Sequence, residues 1–195
     1  VRGIEGIKYS LTNSAGVIAL TIATTRTPVS LIWKGTVSDK WDLAETTNFS
    51  NGGTADVFVP GDAVLFDNTS TVNAVKLLHP LKASSVTVDT PTNYIFSGDG
   101  SITGNASLVK AGTGRLTLLN NNNYTGPTTV NNGVLEVYTL SNGEEPGPLG
   151  TATSSSSNLV LDDGILRYSG NTSNTDRGMT LGANNGTIEI SLPTT

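Results

Sequence analysis

A glycine that opens a short phrase of alternating apolar residues returns at Gly114, Gly133, Gly164 and Gly186, and this spacing limits the possible folds more than any other feature of the chain. The intervals are 19 (133 − 114), 31 (164 − 133) and 22 (186 − 164). Related phrases stand earlier, at Ala63-Val-Leu-Phe66 and Ser85-Val-Thr-Val88, and a first one runs from Gly16 to Ile22. Alternation marks strands with one buried face. A hairpin would return across about two to five residues. A period near twenty instead pairs each phrase with its counterpart one turn later, which is the repeat of a coil whose rungs stack ~4.8 Å apart. The fold class that follows is all-β, a right-handed parallel β-helix (β-solenoid). One module is expected over residues 1–195, with 1–60 forming N-terminal or capping rungs and 61–195 forming regular rungs. The long interval contains the Ser-, Pro- and Gly-rich stretch 141–157, read as a loop inserted into one rung. On that geometry the chain gives roughly eight rungs and a rod of about 40 Å.

In such a coil the inward residues of each strand stack on their equivalents above and below. The expected core is therefore Leu116, Leu118, Val130, Leu135, Leu159, Leu161, Leu166, Leu181 and Ile188, each contributing about 1.5–3 kcal/mol when buried. The asparagines at 120–123 and 131–132 suit turns, where their amides can form ladders. Composition agrees with turn-rich β structure: 22 glycines, 36% hydrophobic and only 14% charged residues. A net charge of −5 and the absence of any Lys/Arg cluster argue against nucleic acid as a partner. There is no cysteine, so the fold rests on backbone ladders and apolar stacking. No stretch approaches the roughly 20 apolar residues of a membrane span, and membrane insertion by this segment is not expected. No leader is visible in the first ten residues, and the expected export signal lies outside them.

Catalysis needs acids that converge with a base or a metal. The candidates are Asp62, Asp67, Asp99, Asp162, Asp163, Asp176 beside Arg177, and the pair Glu144 and Glu145. Successive strand residues point to opposite faces, so Asp162 and Asp163 converge only across a turn, and Asp163-Gly164 reads as that turn. Glu144 and Glu145 read as a solvated pair in the inserted loop. The one histidine, His79, precedes Pro80 and reads as a turn residue. An isolated calcium at an Asp-bearing turn is compatible with an acidic chain, but no zinc or EF-hand spacing occurs. No enzyme, catalytic residue, metal site or cofactor is expected.

The stretch SLVKAGTGRLTLLNNNNYTGPTTVNNGVLEV, residues 107–137, closely resembles the passenger-associated repeat of bacterial autotransporters. The WKG…WD…TNF stretch at 33–49, PGDAVLFD from Pro60, FSGDGSITG from Phe96 and TDRGMTLG from Thr175 resemble material that accompanies that repeat. The resemblance implies a β-helix that is secreted or on a bacterial cell surface. It is also similar to β-helical carbohydrate-binding modules appended to bacterial xylanases. That similarity implies a non-catalytic module holding a covalently linked catalytic domain against plant cell-wall polysaccharide such as xylan. The alternative is a structural stalk or adhesin segment of an autotransporter passenger. Sugar rings stack on aromatic faces, which directs attention to the 2 Trp and 5 Tyr. The ligand-binding candidates are Tyr138, Trp33, Trp41 and Tyr94. Trp33 and Trp41 precede the clear repeats and either cap the solenoid's apolar end or face ligand. Tyr94, with Tyr124 and Tyr168, falls inside the repeat's phrases and suits packing. Tyr138 stands where the resembling repeats carry a small residue, and leads directly into the inserted loop.

Overall fold

The computed structural model describes residues 7–14, 16–24 and 26–191. Strands β1 (Ile7–Ser14) and β2 (Val17–Thr24) form a separate antiparallel hairpin. The solenoid opens with β3 (Ser30–Trp33) and β4 (Lys40–Trp41), followed by the short β5 (Phe49–Asn51) and β6 (Thr54–Asp56). Three turns with three strands each come next: β7 (Ala63–Phe66), β8 (Ala74–Leu77) and β9 (Pro80–Lys82); β10 (Ser85–Asp89), β11 (Tyr94–Ser97) and β12 (Ser101–Gly104); β13 (Ser107–Ala111), β14 (Arg115–Leu118) and β15 (Asn123–Tyr124). The last turns carry two strands each: β16 (Thr128–Val130) and β17 (Gly133–Val137), β18 (Leu159–Leu161) and β19 (Gly164–Tyr168), β20 (Thr180–Leu181) and β21 (Thr187–Ile190). The result is a parallel β-solenoid of about six turns.

Register follows from the alternation of side chains along each strand. In the first sheet Leu31, Val64, Val86, Leu108, Thr128 and Leu159 stand in one inward column, and Phe66, Val88, Lys110, Val130, Leu161 and Leu181 in the next. In the second sheet the columns are Tyr94, Leu116, Leu135, Leu166, Ile188 and Val75, Phe96, Leu118, Val137, Tyr168, Ile190. The third sheet is only β9, β12 and β15. The recurrent glycine is a contact requirement. Gly133 has φ +66°, and a Cβ there would lie 2.4 Å from the carbonyl oxygen of Gly114, one turn below. Stacked turns approach too closely for a side chain.

Lys110 occupies a core column with no exposed surface. Its ammonium donates to the carbonyls of Ala111 (2.5 Å), Gly112 (2.8 Å) and Asn132 (3.2 Å), so all three of its protons are directed at backbone oxygens of two adjacent turns. Burial pulls its pKa from 10.5 down to about 8, against the opposing pull of Asp89.

Four features of the fold bear on the sequence reading, and each has a physical cause. About six turns form, not eight, because the 7–24 region pairs with itself and the stretch after Val137 is longer than a rung. Leu181 and Ile188 keep the inward register expected of core residues but are 57% and 48% exposed, because no described strand lies above them. The aromatic phrases at 33–49 fold into a plug: Trp33 packs edge-on to Phe49 at 5.2 Å and Trp41 edge-on to Phe58 at 5.4 Å, while β5 runs antiparallel along β3. Asn48, fully buried, ties this plug by accepting from the amides of Val37 and Ser38 and donating to the carbonyl of Lys40. Of the asparagines read as turn ladders, Asn120 and Asn122 are buried and span rungs: Asn120 donates to the Gly100 carbonyl and Asn122 accepts from the Ile102 amide.

The excursion after Val137 fills the place of a third-sheet strand. Asn122 and Gly147 exchange backbone bonds of 2.9 and 3.3 Å, and the Thr151 amide donates to the Tyr124 carbonyl at 2.7 Å. Arg177, one turn later, fastens it. Its guanidinium donates to the carbonyls of Ser141 (3.0 Å), Asn142 (2.9 Å), Gly150 (2.6 Å) and Ala152 (3.3 Å) while remaining 9% exposed.

Candidate functional site

The outward face of the second sheet carries a ladder of polar and charged groups. In register, Ile95, Thr117, Glu136, Arg167 and Glu189 form one outward column, and Arg115, Val134, Ile165 and Thr187 form its neighbour. Glu136 is only 6% exposed although it points away from the core. Its carboxylate accepts from Thr117 Oγ1 at 3.0 Å and from Ser169 Oγ at 2.9 Å, and lies 3.4 Å from Arg115 Nε. That approach is an ion pair without hydrogen-bond alignment, since Arg115 Nε has no hydrogen-bond partner, and neither has Arg167 Nε. Arg167 pairs with Glu189 at 3.0 Å. Partly exposed pairs of this kind contribute about 0–1 kcal/mol each, so the ladder sets surface chemistry more than stability.

Just past the ends of β14 and β17 stand Leu119 and Tyr138, 55% and 43% exposed. Together with the ladder they make a face with an aromatic ring, an apolar neighbour, hydroxyls and alternating charges. Such a face recognises by contact and hydrogen bonding. Its one buried carboxylate is held by two hydroxyls and stands beside an arginine.

The four aromatic candidates are not brought together. Trp33, Trp41 and Tyr94 have no exposed surface, so they have no ring face to offer a sugar. Tyr94 donates to the Asp67 carbonyl at 2.8 Å, and burial raises its phenol pKa. Tyr138 alone of the four reaches solvent. The acids are equally dispersed. Asp62 is buried in a bidentate pair with Arg26 (2.8 and 2.7 Å) and accepts from the amides of Val29 and Val59. Asp162 accepts from the Asn184 amide, and Asp163 sits at φ +67° in the turn before β19. Glu144 and Glu145 are exposed at the tip of the excursion, and Asp176 accepts from the Gly143 amide. Among the described residues no group of three or more His, Cys, Asp or Glu is placed to hold a metal ion.

The Arg115, Glu136 and Arg167 ladder was not singled out from sequence, although a signal exists. Thr117, Glu136, Arg167 and Glu189 each follow their phrase's glycine by the same three positions. Aligning the phrases on that glycine stacks them.

Comparison with known proteins gives two matches. Residues 108–137 match the passenger-associated-transport-repeat family, a stretch that runs from β13 through β17. Over 100 residues, 51% of this chain, the sequence is 44% identical to the Adhesin BmaC autotransporter of Brucella suis biovar 1 (strain 1330). The match spans 3% of that relative's length. No solved structure matches. These findings overturn the expectation of a xylan-binding module linked to a polysaccharide-degrading enzyme: the similarity lies with an autotransporter repeat and an adhesin, and it supports no xylanase-associated module and no plant polysaccharide partner.

Proposed function

We propose that the chain is a rod-forming, non-enzymatic segment of an adhesin-type autotransporter passenger, contributing length and lateral surface to a longer protein. As such a segment it is secreted or displayed on the cell surface. The observation that carries this reading is the 44% identity to an adhesin autotransporter over half the chain, joined to a solenoid whose acids are dispersed among structural contacts. The partners are then covalent ones, further passenger segments and a translocator domain. The exposed face around Leu119 and Tyr138 is the contact surface this segment offers, and Tyr138 its central ring.

Antibodies against the isolated chain are expected to label intact bacteria that express the full-length passenger. Labelling only after permeabilisation overturns the reading. Because β13 and β16 are equivalent strands, excising residues 107–126 removes one turn in register and is expected to preserve that labelling. Release of reducing ends from polysaccharide by the pure chain would restore an enzymatic role.

A further inference from the structure

Among the described residues, two surfaces have no packed partner. The first is the outward face of the first sheet. One of its columns is Ile32, Leu65, Thr87, Val109, Thr129, Val160 and Thr180, and beside it run Ser30, Ala63, Ser85 and Ser107. Neither column contains a charged residue, in contrast to the Arg and Glu ladder on the second sheet. At its N-terminal end the strip dips into a depression of about 300 Å³ bounded by Ser30, Ala63, Leu65, Ser85 and Thr87. The second surface is on the β1–β2 hairpin. Leu11 stands directly opposite Leu20, and Ile18 opposite Asn13, so Leu11, Ile18 and Leu20 share one face. They are 72%, 72% and 57% exposed.

A two-stranded hairpin alone is marginal in water, and three large apolar side chains on one face mark a surface that packs against another. The strip on the first sheet begins at the next strand in sequence. Only residues 25–29 separate β2 from β3, and β3 itself forms part of the strip. The Arg26 and Asp62 pair, with the Val29 amide on the same carboxylate, anchors this junction beside the depression. A hairpin with strands of eight residues is about 26 Å long, and seven rungs of the strip span about 29 Å. A short tether raises the local concentration of the hairpin at the strip into the millimolar range, which favours its own solenoid over a second copy.

We infer that the β1–β2 hairpin is a strap that closes over these two uncharged columns of the first sheet, placing Leu11, Ile18 and Leu20 against the column that contains Leu65 and Thr87. The strap covers these columns and leaves the charged ladder of the second sheet as the side presented to partners.

The chain has no cysteine, so paired replacements report contact cleanly. Asn13→Cys lies on the apolar face of the hairpin without removing any of its apolar residues. Combined in turn with Thr87→Cys and Thr129→Cys, it is expected to form an intrachain disulfide on mild oxidation in at least one pair. Combined with Lys82→Cys, on the third sheet, it is expected not to. Adding Ile18→Ser and Leu20→Ser is expected to slow closure at least tenfold while leaving the far-UV circular dichroism of the solenoid intact. The inference is overturned by equal cross-linking to Lys82→Cys, by crosslinks that join two chains, or by closure insensitive to the serine replacements. None of these outcomes bears on whether the chain belongs to a passenger.

Discussion

At the residue scale, the two buried cations of the described core, Lys110 and Arg177, are satisfied by backbone carbonyls. A buried charge with its donors saturated is tolerated, but the desolvation remains. For Lys110 the sign is definite. Its pKa is lower in the folded chain, about 8, than its ordinary value of 10.5, so between those values the unfolded state binds more protons. Stability therefore rises with pH across that window, by at most about 3 kcal/mol. Tyr124, whose phenol is buried and raised well above its ordinary value of 10.0, reverses the trend above pH 10. Urea unfolding at pH 7, 8, 9 and 10 is expected to show the rise in the native chain and a flatter profile in Lys110→Met. Equal slopes in the two would show that the ammonium is not desolvated as described. For Arg177→Met, four carbonyls each lose a donor, and Gly150 loses the one it has among the described contacts. The expected cost is about 3 kcal/mol or more, with cleavage after Glu144 by a glutamate-specific protease becoming fast. Unchanged resistance of residues 141–152 would refute the clamp.

At the scale of elements, the plug made by β5, β6 and the aromatic residues stabilises the start of the solenoid. Phe49→Ala removes a ring packed against both tryptophans and is expected to cost about 3–5 kcal/mol. Native tryptophan emission should be blue-shifted and poorly quenched by iodide, and the variant should lose both properties before global unfolding. Emission already red-shifted in the native chain would contradict the buried placement of Trp33 and Trp41. The same elements show what could be read from sequence alone. Phrases such as 115–118 and 133–137 declare their strands because alternation and a stacked glycine leave one register open. The 17–24 phrase has the same alternation, and nothing local separates a strand that pairs with a distant turn from one that pairs with its neighbour. Burial of Trp33, Trp41 and Tyr94 was equally ambiguous, since an aromatic residue serves either a core or a ligand. Arg177 stood out only as the neighbour of Asp176, and its fastening role had no signal, because its partners are carbonyls 25 to 36 positions away and carbonyls carry no side-chain signature.

For the whole molecule, the two ends of the described solenoid differ. One is closed by the aromatic plug, whereas at the other Leu181, Ile188 and Ile190 stand in core register at 57%, 48% and 63% exposure along free strand edges. Such edges recruit other strands. The isolated chain is expected to associate as its concentration rises, and Leu181→Lys with Ile190→Lys to abolish this in sedimentation velocity runs. Association unaffected by those changes would locate the contact elsewhere. The fastening of the excursion has a practical corollary for dissecting the rod. Arg177 follows the residues it secures by a full turn, so a fragment ending anywhere from 158 to 172 would keep the bulge and lose the arginine latch together with the Ser173, Thr175 and Asp176 contacts beside it. Safe cutting points are those before the bulge begins or beyond the latch, and a truncation series that ignores this would mistake an unlatched bulge for a missing binding surface.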